Sequence, residues 1–415
     1  MSPTRTPQSS RKSAAHNVST PGATPASRAQ RTTVLHLAPD LEISADAREV
    51  VDLAIQTHRA GWRPIVASSG GPLVLEAERA AVRHTRMPIN KRHIFARWRS
   101  RVHLETLVQR ERPAMIHAHG FETLAAAHSI SALRRIPLLV DVTDPVTVTK
   151  SRKKLLQAIA SRQARFRAPS DYMVRYLRDE FQLNSDFLYH VPPGIDLHWF
   201  DAQRVTPERL HALSQLWRLP EQATVVVMGT PLAPGYGHKQ LLEALTQIKR
   251  NDVFVVMVGN DRAAPGTRAE LEKMVTTCGL EGKIVMPELC TDWPAACWLA
   301  TIVVATNTTP RGQAMELLAA QAIGRPVIVT DCGANAEMVQ SGETAWVVPP
   351  DNPEALKNAL AEATQMTESQ RIDLAVRTRN FINNHFPHDI WRDSMFDLYE
   401  AMLSCPMLVT PQQAA

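Results

Sequence analysis

Short apolar runs alternate with longer stretches of helical spacing from residue 33 onward, and the pattern occurs twice. The first series reads VLHLA (34–38), PIVAS (64–68), AMIHA (114–118), PLLVDV (137–142), a run near 166–168 and FLYHV (187–191). The second reads TVVVMG (224–229), VFVVMVG (253–259), KIVMP (283–287), TIVVAT (301–306), PVIVT (326–330) and AWVV (345–348). Continuous Val/Ile-rich runs suit strands buried on both faces. Their alternation with helices predicts parallel sheets covered on two sides. The expected fold is therefore α/β: two doubly wound, Rossmann-like domains facing across a cleft, with ligands beyond the carboxyl ends of the strands. The boundaries read as a tail at 1–32, a first domain at 33–195, a linker at 196–222, a second domain at 223–385, a terminal helix at 386–405 and a tail at 406–415.

The net charge of +5 resides in the tail, where Arg5, Arg11, Lys12, Arg28 and Arg31 meet no acid. The remaining body balances 41 basic against 41 acidic residues, which argues against a whole-protein nucleic-acid binder. The Ser/Thr/Pro/Arg-rich tail has no signal-peptide apolar region and reads as disordered. No apolar run reaches the ~18 residues of a membrane span. Five cysteines at spacings that match no zinc pattern read as free thiols of a reducing cytoplasm. Two acid-free stretches, 79–101 with eight Arg/Lys and 150–167 with seven, both fall in the first domain and could attract anionic lipid or an acidic glycan.

The turn after the first run, PDLEISADA (39–47), contains no glycine, so the dinucleotide-binding fingerprint is absent where it would matter. The stretch TTPRGQAMELLAAQAIGRPVI (308–328) reads as loop, helix and buried strand, with Gly312 before the helix and Gly324 ending it. Free N–H groups at such a helix start suit an anion. His117 and His119 end a predicted strand. They are expected to take opposite faces, with His119 towards the cleft as an acceptor-side candidate and no shared metal without other ligands.

The scaffold marks resemble the retaining GT-B glycosyltransferases of glycosyltransferase family four, over about residues 33–403. Pro192-Pro193-Gly194-Ile195-Asp196 with Phe200 resembles the family's linker motif, and Gly324-Arg325-Pro326-Val327-Ile328 with Asp331, Gly333 and Glu337 resembles its second-domain block. Ser341-Gly342-Glu343-Thr344 and Val348-Pro349-Pro350-Asp351 follow in the family's order. The resemblance implies a nucleotide-sugar donor, no cofactor, no metal in the cleft, and a cytoplasmic enzyme at the inner membrane face. Its acceptor would be an envelope polysaccharide or lipid-linked glycan, lipopolysaccharide among them.

The residues that match the family's chemical positions depart from its pattern. Ser44-Ala45 stands for its Gly-Gly loop on the acceptor side, and Thr143 for a histidine after the fourth strand. After Gly229, Thr230 and Tyr236 stand for a phosphate-binding arginine and lysine, with Lys239 one helical turn on. Arg311 and Ala319 stand for two glutamates, leaving Gln313 and Glu316 as polar groups beside Gly312. Loss of one preorganised donor typically costs ~3–4 kcal/mol of transition-state stabilisation. Two expectations therefore compete: transfer through a rebuilt phosphate site at Lys239, Arg311 and the N–H groups after Gly312, or a catalytically degenerate protein that binds glycan or supports an assembly partner.

Overall fold

A computed structural model describes residues 32–89 and 94–404 of the chain. The predicted tails, apart from Thr32, lie outside the described residues, as does part of the basic stretch 79–101.

The first domain runs β1 (Thr33–Leu37), α1 (Ala45–Arg59), β2 (Arg63–Ser68), α2 (Val74–Arg79), β3 (Arg83–Arg86), α3 (Ile94–Glu111), β4 (Met115–His119), α4 (Leu124–Arg134), β5 (Leu138–Asp141), α5 (Lys150–Ala160), β6 (Arg165–Ala168), α6 (Asp171–Phe181) and β7 (Leu188–His190). Its seven strands are ordered β3-β2-β1-β4-β5-β6-β7, and every pairing is parallel. The sequence reading omitted β3. Arg83-His84-Thr85-Arg86 offers no apolar run because it forms the sheet edge, where neither face is fully buried.

The second domain comprises α7 (Pro207–Leu216), β8 (Thr224–Met228), α8 (His238–Thr246), β9 (Val253–Met257), α9 (Thr267–Thr277), β10 (Ile284–Val285), α10 (Trp293–Leu299), β11 (Ile302–Ala305), α11 (Met315–Ile323), β12 (Val327–Thr330), β13 (Ala345–Val348), α12 (Pro353–Thr364) and α13 (Glu368–His385). Its six parallel strands are ordered β10-β9-β8-β11-β12-β13. Both sheets reverse strand order beside their first strand, between β1 and β4 and between β8 and β11, which is where crevices form in such folds.

The segment 196–222, read as a linker, is part of this domain. Ile195, Val205, Leu213 and Trp217 enter its core, and Arg209 grips Asp292 at 2.6 Å. The last described helix, α14 (His388–Ser404), returns to the first domain. Its buried Trp391, Met395, Leu398, Tyr399 and Met402 recur at helical spacing and cover Val34, Met115, Leu139 and Val191. Each such side chain contributes about 1.5–3 kcal/mol relative to exposure. The two chain crossings lie side by side: the Ile195 N–H donates to the Phe386 carbonyl at 2.9 Å. Gly194 permits that approach, since a Cβ there would stand 2.7 Å from Trp391 Cβ. The architecture is the two-domain arrangement implied by the resemblance.

Candidate functional site

The loops after β1, β5, β8 and β11 meet between the domains. Asp144, on the loop after β5, ion-pairs with Arg311 on the loop after β11, and the Gly312 N–H donates to the other Asp144 oxygen at 2.8 Å. The Ser170 hydroxyl donates to the Gly312 carbonyl at 2.7 Å. Gln313 donates to Asp46 on α1 at 2.9 Å. Gly312 is needed for the close approach itself, because a Cβ would stand 2.0 Å from the Thr143 carbonyl and 2.6 Å from Met173 Cγ.

The Arg311 loop is fixed from its own domain. Its carbonyl accepts from the Ala334 N–H at 2.8 Å, and Gly333, at φ +67°, packs where a Cβ would clash with the Arg311 backbone. The guanidinium sits 4.6 Å over the Tyr236 ring. Thus Gly333 of the second-domain motif positions the arginine. Glu337 of that motif ties the domains together, accepting from the Tyr172 N–H at 2.8 Å and pairing with Arg175.

Three acids surround this one guanidinium. Desolvation pushes the Asp144 carboxyl up to about 7, with Asp46 adding to it and Arg311 pulling the other way. Burial also raises Glu316 to about 7. Asp46 keeps an exposed surface, yet enclosure between the domains and its neighbour Glu49 raise it too. The Gln313 carboxamide oxygen is buried without a hydrogen-bond partner among the described residues.

Several predicted donor residues stand apart from this group. Lys239 is exposed and paired with Glu270 at 3.4 Å. Thr230 is buried, with its hydroxyl 3.3 Å from His238 Nε2. Gly229 packs against Trp293, where a Cβ would lie 2.2 Å from the indole. Ala319 is core. On the first-domain side, Ser44 caps α1 by accepting from the Ala47 N–H at 3.2 Å, and Ala45 opens that helix in an exposed position. Asp46, which sequence reasoning passed over, makes the cross-cleft contact instead.

With β3 included, Thr143 follows the fifth strand, and His119 is the residue that ends the fourth. The expectation that His117 and His119 take opposite faces was wrong, since residues two apart on a strand share a face. Their rings lie 3.9 Å apart and both face Asp141, at 3.1 Å each. His119 Nε2 is 3.1 Å from His36 Nδ1, and His117 Nδ1 is 2.7 Å from the Tyr399 hydroxyl.

Asp141 is ionised: His117 and Arg167 hold it well below the usual range despite its burial. It therefore accepts from His119 Nδ1–H, which makes Nε2 an acceptor for His36 Nδ1–H. That leaves His36 Nε2 a buried lone pair with no hydrogen-bond partner among the described residues. Both His119 nitrogens are thus engaged inside the domain. Among the described residues, the ring nitrogens of His36, His117 and His119 come within 4.8 Å of one another, so His36 is the further group that a metal shared by the other two would require. Arg167, also fully buried, pairs with Glu49 at 2.5 Å and Asp141 at 3.5 Å.

Residues 47–199 match the family model of Glycosyltransferase Family 4, and residues 222–365 match that of glycosyl transferases group 1. Over 186 residues the chain is 31% identical to a GDP-mannose-dependent alpha-(1-6)-phosphatidylinositol monomannoside mannosyltransferase of Mycobacterium tuberculosis. That match covers 42% of this chain and 46% of the relative, so the chain spans about half the length of the curated relative it matches. A glycosyltransferase of Rickettsia africae superposes with TM-score 0.79 at 20% identity, covering 90% of this chain and 98% of that one. HepE of Anabaena, in complex with UDP and glucose, gives TM-score 0.79 at 18% identity over 89% and 100%. WaaG, a glycosyltransferase involved in lipopolysaccharide biosynthesis, gives 0.69 at 13% identity over 88% and 99%. These likenesses show the GT-B fold.

Proposed function

We propose, from the premise that this chain is built of a family 4 and a group 1 glycosyltransferase domain in the GT-B arrangement, that it transfers a sugar from a nucleotide donor to an envelope polysaccharide or lipid-linked glycan. The observation that carries the reading is the anion place between the domains, where Arg311 and the Gly312 N–H together hold a carboxylate. A guanidinium and a backbone N–H in that arrangement suit a phosphate oxygen equally well. The unpartnered Gln313 oxygen beside it suits a sugar hydroxyl. The relatives lend support: one uses GDP-mannose, and another was solved with UDP and glucose.

In this reading Arg311 takes over the role of the family's two phosphate cations, Lys239 stays at the rim, and transfer retains anomeric configuration without a metal in the cleft. The acceptor enters from the first-domain side, past Asp46 and the start of α1. Peripheral attachment to anionic membrane through α5 would bring a lipid-linked acceptor within reach.

A second reading, a degenerate protein that binds glycan or supports a partner enzyme, is favoured by one specific feature. Asp46, Asp144 and Glu316 outnumber the single guanidinium they surround, while Thr230 and Lys239 are engaged elsewhere. A thermal-shift screen against UDP- and GDP-sugars separates the two. Stabilisation by a nucleotide sugar supports the transferase; its absence across the panel favours the degenerate protein. Where transfer occurs, NMR of the product's anomeric proton tests retention, and activity in EDTA tests metal independence.

A further inference from the structure

The members of the Arg311 group divide between the domains in a way that bears on how a ligand reaches it. Arg311, the Gly312 N–H and the Tyr236 ring all belong to the second domain, and Gly333 and Ala334 fix the Arg311 backbone from within it. Asp144 belongs to the first domain and sits on the irregular segment between β5 and α5. If the domains part, the cation and its backbone donor stay assembled while the carboxylate leaves. A carboxylate held by a guanidinium and a backbone N–H makes the same contacts that two phosphate oxygens would make.

We infer that Asp144 is an internal stand-in for the donor's phosphate: its carboxylate occupies the anion place of Arg311 and Gly312, and a diphosphate takes that place only by expelling it. The inference rests on the reading that the cleft holds a nucleotide diphosphate, and it adds what competes for that position. Expulsion removes more than one contact. Gly312 also accepts from Ser170, Gln313 reaches Asp46, and Thr143 lies against Gly312, so displacing Asp144 loosens the whole seam. Diphosphate binding and separation of the domains at this point are therefore one equilibrium, and the affinity observed is the intrinsic affinity reduced by the fraction of molecules in which Asp144 has left. Desolvation makes the ionised carboxylate costly there, which eases its release to water when the domains part.

The test is calorimetric titration of the full chain with inorganic pyrophosphate, UDP and GDP. Asp144→Asn keeps the size of the side chain and removes the competing charge. It should bind pyrophosphate at least about tenfold tighter than the parent, a difference of about 1.4 kcal/mol. Asp144→Ser should gain likewise, and serves if the asparagine variant folds poorly. The gain should vanish in Asp144→Asn/Arg311→Ala, because the anion place itself is then lost. Equal nucleotide affinity in parent and Asp144→Asn overturns the inference and leaves the donor reading intact. A gain that survives removal of Arg311 also overturns it, since relief of general repulsion would then be the cause. No binding of pyrophosphate, UDP or GDP by the parent or by either Asp144 variant overturns the inference and the donor reading together.

Discussion

The Tyr399 hydroxyl lies 2.7 Å from His117 Nδ1, joining α14 to the fourth strand of the first domain. Both side chains are fully buried. The His117 tautomer sets which of the two groups donates, and each is the other's hydrogen-bond partner. Tyr399→Phe keeps the ring and strands the buried His117 Nδ1, which should cost about 1–3 kcal/mol. Urea denaturation checks this; an unchanged midpoint would mean that packing alone docks α14.

The buried histidines draw stability down in acid. Burial lowers His36 well below its usual 6.5 and His119 to about 4. The unfolded chain then binds more protons than the folded one between those values, so stability falls as pH drops from 6.5 towards 4. Asp144 and Glu316 oppose this trend, since their raised values favour the folded state at lower pH. Melting curves of Asp144→Asn/Glu316→Gln should therefore show a steeper acid loss than the parent.

At the alkaline end both carboxyls lose their protons, and Glu316 can be tested singly. Its folded pKa of about 7 lies above its usual 4.5, so its penalty develops as pH rises through that window and is complete above it. Glu316→Gln should stabilise the protein at pH 8 by on the order of 1 kcal/mol, allowing for partial solvent access, and have little effect at pH 5. Equal effects at both values would remove ionisation as the cause.

Gly312→Ala tests the contact between the domains. The new methyl group meets the Thr143 carbonyl and Met173, so one domain must give way. A cost of about 1–3 kcal/mol is expected, with a larger radius of gyration by small-angle scattering. A variant as compact and as stable as the parent would show that the domains do not meet at Gly312 in solution.

The helix α5 carries Lys150, Arg152, Lys153 and Lys154, with Lys150 and Lys154 exposed, while Leu156 and Ile159 face the core. Cosedimentation with anionic vesicles should be measurable at low salt and fade as salt rises, since screening shortens the reach of each charge. Charge reversal at Lys150 and Lys154 should abolish it. Equal binding to neutral vesicles would refute the electrostatic account. Among the described residues no helix is long and apolar enough to cross a membrane.

The two sheets were legible because buried parallel strands write themselves as apolar runs. β3 was not, since an edge strand of Arg83-His84-Thr85-Arg86 has no buried face to record. That omission also shifted the strand count, so Thr143 was placed after the fourth strand instead of His119. The helix and glycine around Gly312 could be read locally. The Asp144–Arg311 pair could not, because its members are 167 residues apart and belong to different domains. The same holds for Tyr399 and His117, 282 residues apart. Motif glycines and prolines report turns within one segment; only the folded chain shows which charged side chains meet.

The central claim is that Arg311 holds the donor's diphosphate. Isothermal titration of the full chain with UDP, GDP and their sugars, in parent and Arg311→Ala, tests it most directly. The account predicts that the parent binds nucleoside diphosphate and nucleotide sugar with similar affinity, and that Arg311→Ala weakens both by the same factor of about tenfold or more. Unchanged affinity in Arg311→Ala, or no nucleotide binding by the parent, would contradict it.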